Sequence, residues 1–260
     1  MKPLRILTHG PSDSLNRLIE SLRESCVTDI KKIKTVGSTY RGNPDHVILN
    51  WGSANRRAIR ESVRIINEPT AVSIARNKLE TLKAIAEYNS LIFTESKNVA
   101  KDYIRHGCTV YCRTSLTGSQ GSGIVVARSI EELVSAPLYT VQAPVCKELR
   151  LHFFDGQMIS YAQKKRMNSE RREEEQIELS QDVRNLENGW VFTREGIELD
   201  SGVRGICFAA LSELQLDFGA VDVGVDHNGT PYIFEVNTAP GLEGSTLEAY
   251  RDAVRSLLDE

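Results

Sequence analysis

The stretch Asp217–Asn237, DFGAVDVGVDHNGTPYIFEVN, decides the architecture of the second half of the chain. Asn228-Gly229 is typical of a two-residue β-hairpin loop, because both positions of a type I′ turn need a positive φ. With that loop, Asp222 lies directly opposite Glu235. Because side chains alternate along a strand, we expect two opposed faces. One carries Val221, Val223, Val225, Tyr232, Phe234 and Val236, and the other carries Asp222, Glu235 and Asn237.

The facing acids of this hairpin predict a cation site. Like charges directly opposite each other destabilise a sheet, and an apolar back face holds them in place. Mg²⁺ prefers oxygen ligands and usually takes one or two carboxylates together with substrate phosphates. The alternative is a solvated polar face with the carboxylates apart. Pro231 lacks an N–H, so we expect an imperfect ladder near the turn.

The first third of the chain alternates strand and helix patterns. Strands are predicted at Leu4–Thr8, near Ile33–Val36 and at Val47–Leu49. A helix between the first two has one apolar face, formed by Leu15, Leu18, Ile19 and Leu22. This alternation predicts a small parallel α/β layer, followed by a second helix over Thr70–Tyr88.

The remaining two thirds have a hairpin-rich α+β pattern. Short strands are predicted at Val110–Arg113, Gly123–Arg128 and Tyr139–Ala143, and a strand pair at Leu149–Phe154 and Met158–Lys165. Helices are predicted at 96–105 and 130–134, over 203–214 and over the last residues from Leu247. The predicted fold class is therefore α/β followed by α+β.

Composition excludes several classes of protein. The 260 residues are 40% hydrophobic and 26% charged, as in an ordinary globular protein, and the formal charge of −3 gives no general attraction to nucleic acid or an anionic membrane. Apolar runs are too short to span a bilayer, and the first residues turn polar too early for a secretory signal peptide. Five cysteines without a C-x-x-C pair indicate reduced thiols and a cytoplasmic location.

A glycine-rich loop, Gly118–Gly123, lies between two predicted strands. This position differs from that of a dinucleotide-binding or Walker loop, each of which precedes a helix. Its backbone N–H groups could still cover phosphate oxygens, with Arg113 as a nearby cation. The alternative is a surface hairpin without a ligand.

Charged side chains share one face of the next strand pair. Glu148, Arg150 and His152 alternate with apolar residues, and Lys164 and Lys165 lie on the partner strand. A solvated outer face is the alternative, and His152 fits a structural role better than that of a catalytic base. The run 168–184 is interpreted as a solvated helix or a lid. Nucleic-acid binding through Lys164–Arg172 is disfavoured because acidic residues interrupt the stretch.

Together these residues resemble the ATP-grasp superfamily of carboxylate–amine ligases, over about residues 67–250. Asp222 followed by Glu235-Val-Asn237-Thr-Ala-Pro-Gly241 is similar to the family's acidic strand and its E-x-N-x-x-P-G signature. Gly118–Gly123 resembles the phosphate loop, and Ala75-Arg-Asn-Lys78 resembles the segment of a phosphate-contacting lysine. Similar chains occur in tailed phages, and the chain also resembles ribosomal-protein glutamate ligases and D-alanine ligases.

The resemblance implies the ATP-grasp fold, with a parallel α/β pre-ATP-grasp domain at 1–77. A central lobe with the phosphate loop follows at 78–141, and the C-terminal lobe with the metal site spans 142–260. The two α+β lobes are expected to enclose the nucleotide.

The resemblance also implies roles for individual residues. The expected magnesium ligands are Asp222, Glu235 and Asn237, with Mn²⁺ as a possible replacement for Mg²⁺. The expected ATP-binding residues are Lys78, Arg113, Gly118, Ser119, Gln120, Gly121, Gln142, Ala143, Val145 and Glu148. The expected catalytic residues are Arg150, Lys164, Lys165, Asn237 and Gly241. The expected acceptor-binding residues are Ser245 and Thr246.

Three positions depart from the family pattern. Arg113 stands where a lysine usually precedes the glycine loop, and Gln142 stands where many members have a glutamate. Ala220 stands where D-alanine ligases carry an arginine, which argues against that subfamily and is compatible with the glutamate-ligase type.

The activity implied is ATP-dependent amide formation through an acyl phosphate, with release of ADP and phosphate. The substrates are a carboxylate and an amine on small molecules, peptides or proteins. The location is cytoplasmic, in the host if a phage encodes the chain, and neither a membrane nor nucleic acid is an expected partner. A catalytically silent nucleotide-binding module that acts through protein–protein contact is the alternative. The sequence leaves the oligomeric state open.

Overall fold

The computed structural model describes residues 1–34, 37–55, 63–118, 123–180 and 184–260. Within these ranges the strands form three sheets. No helix among the described residues is both long and apolar enough to cross a membrane.

The N-terminal sheet is parallel, as the sequence predicts. Its strands, in chain order β1 to β4, are Leu4–Thr8, Ile30–Lys32, Val47–Trp51 and Arg64–Ile66, arranged β2-β1-β3-β4. Helix α1, Asp13–Glu24, buries the predicted apolar face, Leu15, Leu18, Ile19 and Leu22. The strand expected near Ile33–Val36 instead ends at Lys32, and Val36 lies outside the described residues.

The helix predicted over Thr70–Tyr88 is divided into α2, Pro69–Arg76, and α3, Lys78–Ala84, with a 3₁₀ turn at Ala86–Tyr88. Asn77 causes the break. Its backbone is extended, and its side chain accepts hydrogen bonds from the N–H groups of Leu79 and Glu80 as an N-cap. Lys78 is thereby placed at the first position of α3.

The central sheet is antiparallel. Its strands β5 to β8 are Phe93–Thr94, Val110–Arg113, Ile124–Ala127 and Leu138–Val141, in the order β5-β8-β6-β7, and helix α4, Lys97–Arg105, packs beside it. The helix predicted at 130–134 is wrong. The Glu132 carboxylate accepts hydrogen bonds from the N–H groups of Arg128 and Ser129, which closes a turn.

The C-terminal sheet has five antiparallel strands, in the order β11-β10-β9-β12-β13. Strands β9 to β13 are Lys147–Phe154, Gln157–Arg166, Trp190–Thr193, Phe218–Val225 and Pro231–Asn237. The remaining helices, α5 to α7, are Ser169–Glu174, Ser201–Glu213 and Ser245–Asp259. Apolar side chains of α6 and α2 pack against one face of this sheet, and its other face lines a cleft.

The hairpin β12–β13 brings Asp222 opposite Glu235, as predicted, but by a different route. The residue opposite Thr230 is Asp226, and not His227 as expected. The loop therefore has three residues. A bulge beyond Asp222 then restores the expected register. The predicted apolar face is therefore partly wrong. Ile233 and Val236 join the core with Val221, Val223 and Val225, whereas Phe234 lines the cleft.

The N-terminal sheet is joined to the C-terminal sheet through Asn67. This buried side chain donates to the carbonyl of Phe218 and accepts from the N–H groups of Asp217 and Phe218. Next to these hydrogen bonds of Asn67, the Trp51 ring stacks on Phe218 and contacts Tyr250 of α7 edge to face. Phe218 lies four residues before Asp222 on β12, so these contacts are on the same face of the C-terminal sheet as the site residues. The domain boundaries at 77/78 and 141/142 stay a prediction.

Candidate functional site

A cleft of about 800 Å³ separates the central sheet from the polar face of the C-terminal sheet. Most of the predicted site residues line it. These are Arg113, Gln142, Ala143, Val145, Glu148, Arg150, Lys164, Asp222, Glu235, Asn237 and Gly241.

Two acids and an amide meet at the centre of this cleft. Asp222 and Glu235 occupy facing positions of β12 and β13. The Asn237 side chain joins them, because its Nδ2 donates to Glu235 Oε1 at 3.0 Å and lies 3.4 Å from Asp222 Oδ2. The predicted metal ligands are therefore neighbours in space.

Arg150 balances the charge of Asp222. Its Nε and Nη2 donate to the two carboxylate oxygens of Asp222, each at 2.6 Å. Burial alone raises the pKa of Asp222, but the Arg150 guanidinium more than offsets it, so the net pKa lies below the ordinary value. Burial likewise lowers the pKa of Arg150, and Asp222 outweighs it to leave a net rise. Both groups are charged at neutral pH.

Lys78 and Arg113 add positive charge on the side of Glu235. Lys78 Nζ lies 3.8 Å from Glu235 Oε2 and donates to the carbonyl of Gly118 at 2.6 Å. Burial lowers the pKa of Lys78, and Glu235 offsets part of that shift. Burial also lowers the pKa of Arg113, whose Nε donates to Thr140 Oγ1. The start of α3 and the end of β6 thus direct two cations at the acid centre.

The glycine loop joins this cationic group at its first residue, Gly118. Ser119, Gln120 and Gly121 lie outside the described residues. At the other end of the loop, Gly123 has a φ of +74°, and its carbonyl accepts a hydrogen bond from the N–H of Thr114. The loop therefore begins beside Lys78, the predicted phosphate-contacting lysine.

Glu148 lies two residues before Arg150 on β9, and two cations contact its carboxylate. Lys164 Nζ lies 3.0 Å from Glu148 Oε2, and Arg184 Nη1 lies 3.1 Å from Glu148 Oε1. The prediction of Lys165 as a catalytic residue is corrected here. It is exposed on the other face of β10, where its Nζ donates to the carbonyl of Glu195. Of the two adjacent lysines, only Lys164 lines the cleft.

An aromatic side chain missed by the sequence analysis covers these cations. The Phe192 ring centroid lies 4.6 Å from the Arg150 guanidinium and 5.4 Å from Lys164 Nζ. Cations over a ring face are attracted by its quadrupole, so Phe192 restrains both side chains. The pairing of Lys164 with Phe192 on β10 and β11 produces this contact.

The end of the cleft beyond Glu148 is apolar. Ala143, Val145 and Phe234 line it, together with Leu91 and Ile124. Gly224 allows this packing, because a Cβ there would lie only 2.4 Å from Val145 Cγ1 and 2.7 Å from Phe234 Cζ. Gln142 begins the segment between the two sheets, and its N–H donates to the carbonyl of Thr109.

The opposite end of the cleft lies at Gly241, next to the start of α7. The two predicted acceptor-binding residues, Ser245 and Thr246, differ in their exposure. Ser245 is exposed, but Thr246 is buried, and its hydroxyl contacts Ser160 Oγ at 2.8 Å and Arg194 Nη2 at 2.7 Å. Arg194, not Thr246, lines the cleft, which corrects the prediction for Thr246.

His152 lies at the base of this end and contacts the Tyr250 hydroxyl through Nδ1 at 3.3 Å. Burial, reinforced by Arg150, lowers the pKa of His152 to about 3. It is therefore neutral at physiological pH, in agreement with the structural role expected from the sequence.

The donor set at the acid centre fits a hard divalent cation. Asp222 and Glu235 present carboxylate oxygens at one place, and rotation of the Asn237 amide, whose Nδ2 faces both acids in this structure, would add an amide oxygen; such oxygens are the ligands that Mg²⁺ prefers. Among the described residues no group of three His, Cys, Asp or Glu side chains forms a metal-binding cluster. The third protein ligand here would be the amide, which leaves room for ligands from a substrate.

No model of a known protein family matches the chain, and no curated protein matches it. Solved structures match over nearly the whole length. D-alanyl-alanine synthetase A from Vibrio cholerae is 14% identical, with a TM-score of 0.70 over 99% of this chain and 98% of that one. The ATP-grasp ligase PsnB, complexed with a minimal precursor, is 13% identical, with a TM-score of 0.67 over 98% and 99%.

The macrocyclase MdnC from Microcystis aeruginosa, bound with precursor peptide MdnA, is also similar. Its identity is 13%, and its TM-score is 0.64 over 100% of this chain and 99% of that one. The chain therefore has the ATP-grasp fold, and its acid centre lies in the cleft between the central and C-terminal sheets of that fold.

Proposed function

We propose that the protein is an ATP- and Mg²⁺-dependent ligase that joins a carboxylate to an amine and releases ADP and phosphate. One observation carries the proposal: Asp222, Glu235 and Asn237 converge in a cleft that Arg113 and Arg150 line, and Lys78 lies 3.8 Å from Glu235. Such a set of oxygen ligands and cations is what a nucleoside triphosphate with its metal requires.

Asp222, Glu235 and Asn237 would hold the metal. When bound, Mg²⁺ neutralises charge on phosphate oxygens and helps to orient them. Lys78 and Arg113 would contact the phosphates from the central lobe, and the loop that begins at Gly118 would exclude water. Mn²⁺, which also favours oxygen ligands, would substitute for Mg²⁺.

The nucleoside would occupy the apolar end of the cleft. Ala143, Val145 and Phe234 suit a flat aromatic base, and backbone groups of Gln142–Val145 would read its edge. Glu148 would accept hydrogen bonds from the ribose hydroxyls after release from Lys164 or Arg184, which hold it in this structure.

In the reaction, a carboxylate oxygen of the substrate attacks the γ-phosphorus, and the bond to the β–γ bridging oxygen breaks to release ADP. An amine nitrogen then attacks the acyl carbon, the C–O bond to phosphate breaks with its electron pair, and the amine loses a proton. Arg150 and Lys164 would stabilise the negative charge that moves between these oxygens. Gly241 would lie beside the acceptor.

Two similar structures are complexed with precursor peptides, which supports a peptide or protein among the substrates.

The proposal is tested by incubating the protein with ATP, Mg²⁺ and a panel of amino acids and acidic peptides, and measuring ADP and the mass of new products. A product lighter than its two substrates by one water, formed together with ADP, is expected. Nucleotide binding without ADP release across the panel would favour a silent nucleotide-binding module instead.

A further inference from the structure

The cleft face of the C-terminal sheet carries a row of side chains across its strands. Ala162, Arg150, Asp222 and Glu235 are successive partners on β10, β9, β12 and β13. Gln163 of β10 pairs with Thr193 of β11, and the two strands are antiparallel. Arg194, the residue after Thr193, therefore lies beside Ala162 and continues the row. The row therefore has an arginine on each side of a small residue, and the two acids follow on one side only.

Ala162 is the small residue between the two arginines of this row. It is buried and lines the cleft. Arg150, which is partly buried, and Arg194, which is exposed, line the cleft as well. Neighbouring strands lie about 4.8 Å apart, so the backbones of Arg150 and Arg194 are separated by roughly 10 Å. Two long side chains at this separation can reach one small anion above the alanine methyl group.

Arg194 is held in place by neutral groups. Its Nε and Nη2 donate to Thr246 Oγ1 at 3.3 and 2.7 Å, and Nη2 also donates to the carbonyl of Glu243 at 3.2 Å. Thr246 is anchored in turn by Ser160. In the described part of the chain no carboxylate forms an ion pair with Arg194. Its exposed guanidinium is thus held in a fixed orientation at the cleft wall.

Both arginines keep donors for a ligand. Arg150 uses Nε and Nη2 for Asp222, and Arg194 uses the same two atoms for its own contacts. Within the described residues, the N–H groups of each Nη1 have no protein acceptor. Planar guanidinium groups match a carboxylate better than lysine does, because they offer paired donors in a fixed geometry.

We propose that Arg194 and Arg150 together bind the substrate carboxylate above Ala162, so that Arg194 is a specificity-determining residue. This inference rests on the proposed ligase function. The site lies next to Asp222 in the same row, so a carboxylate held there is adjacent to the proposed metal and phosphates. Lys78, a proposed phosphate-binding cation, contacts Glu235 at the other end of the row, so the phosphates are assigned to that end and the substrate carboxylate to the two arginines.

The test measures binding of three probes by calorimetry to protein saturated with Mg²⁺ and ADP. N-acetylglutamate α-amide carries a side-chain carboxylate, N-acetylglutamine carries a terminal one, and N-acetylglutamine amide carries none. At least one acidic probe should bind roughly tenfold or more tightly than the neutral probe. Arg194→Met should remove that preference without changing ADP affinity, and Arg194→Lys should keep part of it.

Arg105→Met is the matched control, because Arg105 is exposed on α4 and pairs only with Asp102 among the described residues. It should leave all affinities unchanged. Equal binding of the three probes to the wild-type protein, or a carboxylate preference that survives Arg194→Met, would overturn the inference. Loss of ADP binding in Arg194→Met would place Arg194 in the nucleotide site and also overturn it. Absence of Mg²⁺-ADP binding to the wild-type protein would instead reject the proposed function, and this inference with it.

Discussion

Arg150 of β9 donates two hydrogen bonds of 2.6 Å each to the carboxylate of Asp222 on the paired strand β12. The side chains are 22% and 13% exposed, so each depends on the other for charge compensation. This pair fixes the carboxylate beside Glu235 and fixes the guanidinium beside Ala162. One ion pair therefore connects the proposed metal site with the proposed substrate site.

Removal of one partner of this pair should destabilise the fold more than removal of both. Asp222→Asn leaves the Arg150 charge uncompensated in a largely buried position and should lower the free energy of unfolding by about 3 kcal/mol. Urea denaturation measures this change. The double variant Asp222→Asn/Arg150→Met should recover part of the loss. Additive effects of the two substitutions would show that the side chains are not coupled.

Glu235→Gln should strongly reduce ADP production and leave the fold intact. Glu235 is 26% exposed and lies 3.8 Å from Lys78, so the loss of its charge costs little stability. The loss of a proposed metal ligand should lower kcat roughly a hundredfold or more, comparable to removing a donor that stabilises a transition state. A coupled ADP assay with the substrate found in the panel measures it. Glu213→Gln, at an exposed position at the end of α6, is the control and should behave as the wild type.

His152 should make the protein sensitive to acid. Its pKa is lowered from an ordinary 6.5 to about 3 in the folded state, so the unfolded chain binds a proton first as the pH falls. Stability is thus fully present above pH 6.5 and is lost between 6.5 and 3, by at most about 1.4 kcal/mol per pH unit. His152→Gln, which lacks this titration, should have a shallower acid limb in thermal melts from pH 7 to 4. Parallel curves for the two proteins would contradict the prediction.

Asn67 should be essential for joining the N-terminal sheet to the C-terminal one. Asn67→Ala leaves the N–H groups of Asp217 and Phe218 and the carbonyl of Phe218 without their partner. It also places alanine at a φ of 65°. The free energy of unfolding should fall by about 2–4 kcal/mol, because buried polar groups lose their hydrogen bonds. Asn16→Ala, at an exposed position of α1, should change it by less than about 0.5 kcal/mol.

The sequence predicted the elements that depend on local patterns. The apolar periodicity of α1 and the alternation along β9 identified both elements, because each buries one face. The facing of Asp222 and Glu235 was also predicted, although two errors cancelled: the loop has one residue more than expected, and the bulge compensates for it. A bulge has no clear local signal, and the placement of Phe234 in the cleft was missed for that reason.

The residues missed in the site come from pairings between distant strands. Phe192 and Arg194 belong to β11 and the segment after it, and only the register of β11 against β10 places them beside Lys164 and Ala162. Arg184 reaches Glu148 from a loop, which strand alternation cannot predict. The break before Lys78 could have been anticipated, because asparagine caps helices more readily than it continues them.

In the proposed ligase, Asp222, Glu235 and Asn237 hold the metal of a bound triphosphate. Calorimetric titration of a non-hydrolysable ATP analogue, with Mg²⁺ or with EDTA, measures whether nucleotide binding depends on that metal. Tight binding by the wild-type protein only with Mg²⁺, and loss of this Mg²⁺ dependence in Glu235→Gln, is the predicted result. Nucleotide affinity that is the same with and without Mg²⁺, or a Mg²⁺ effect of wild-type size in Glu235→Gln, would contradict the claim.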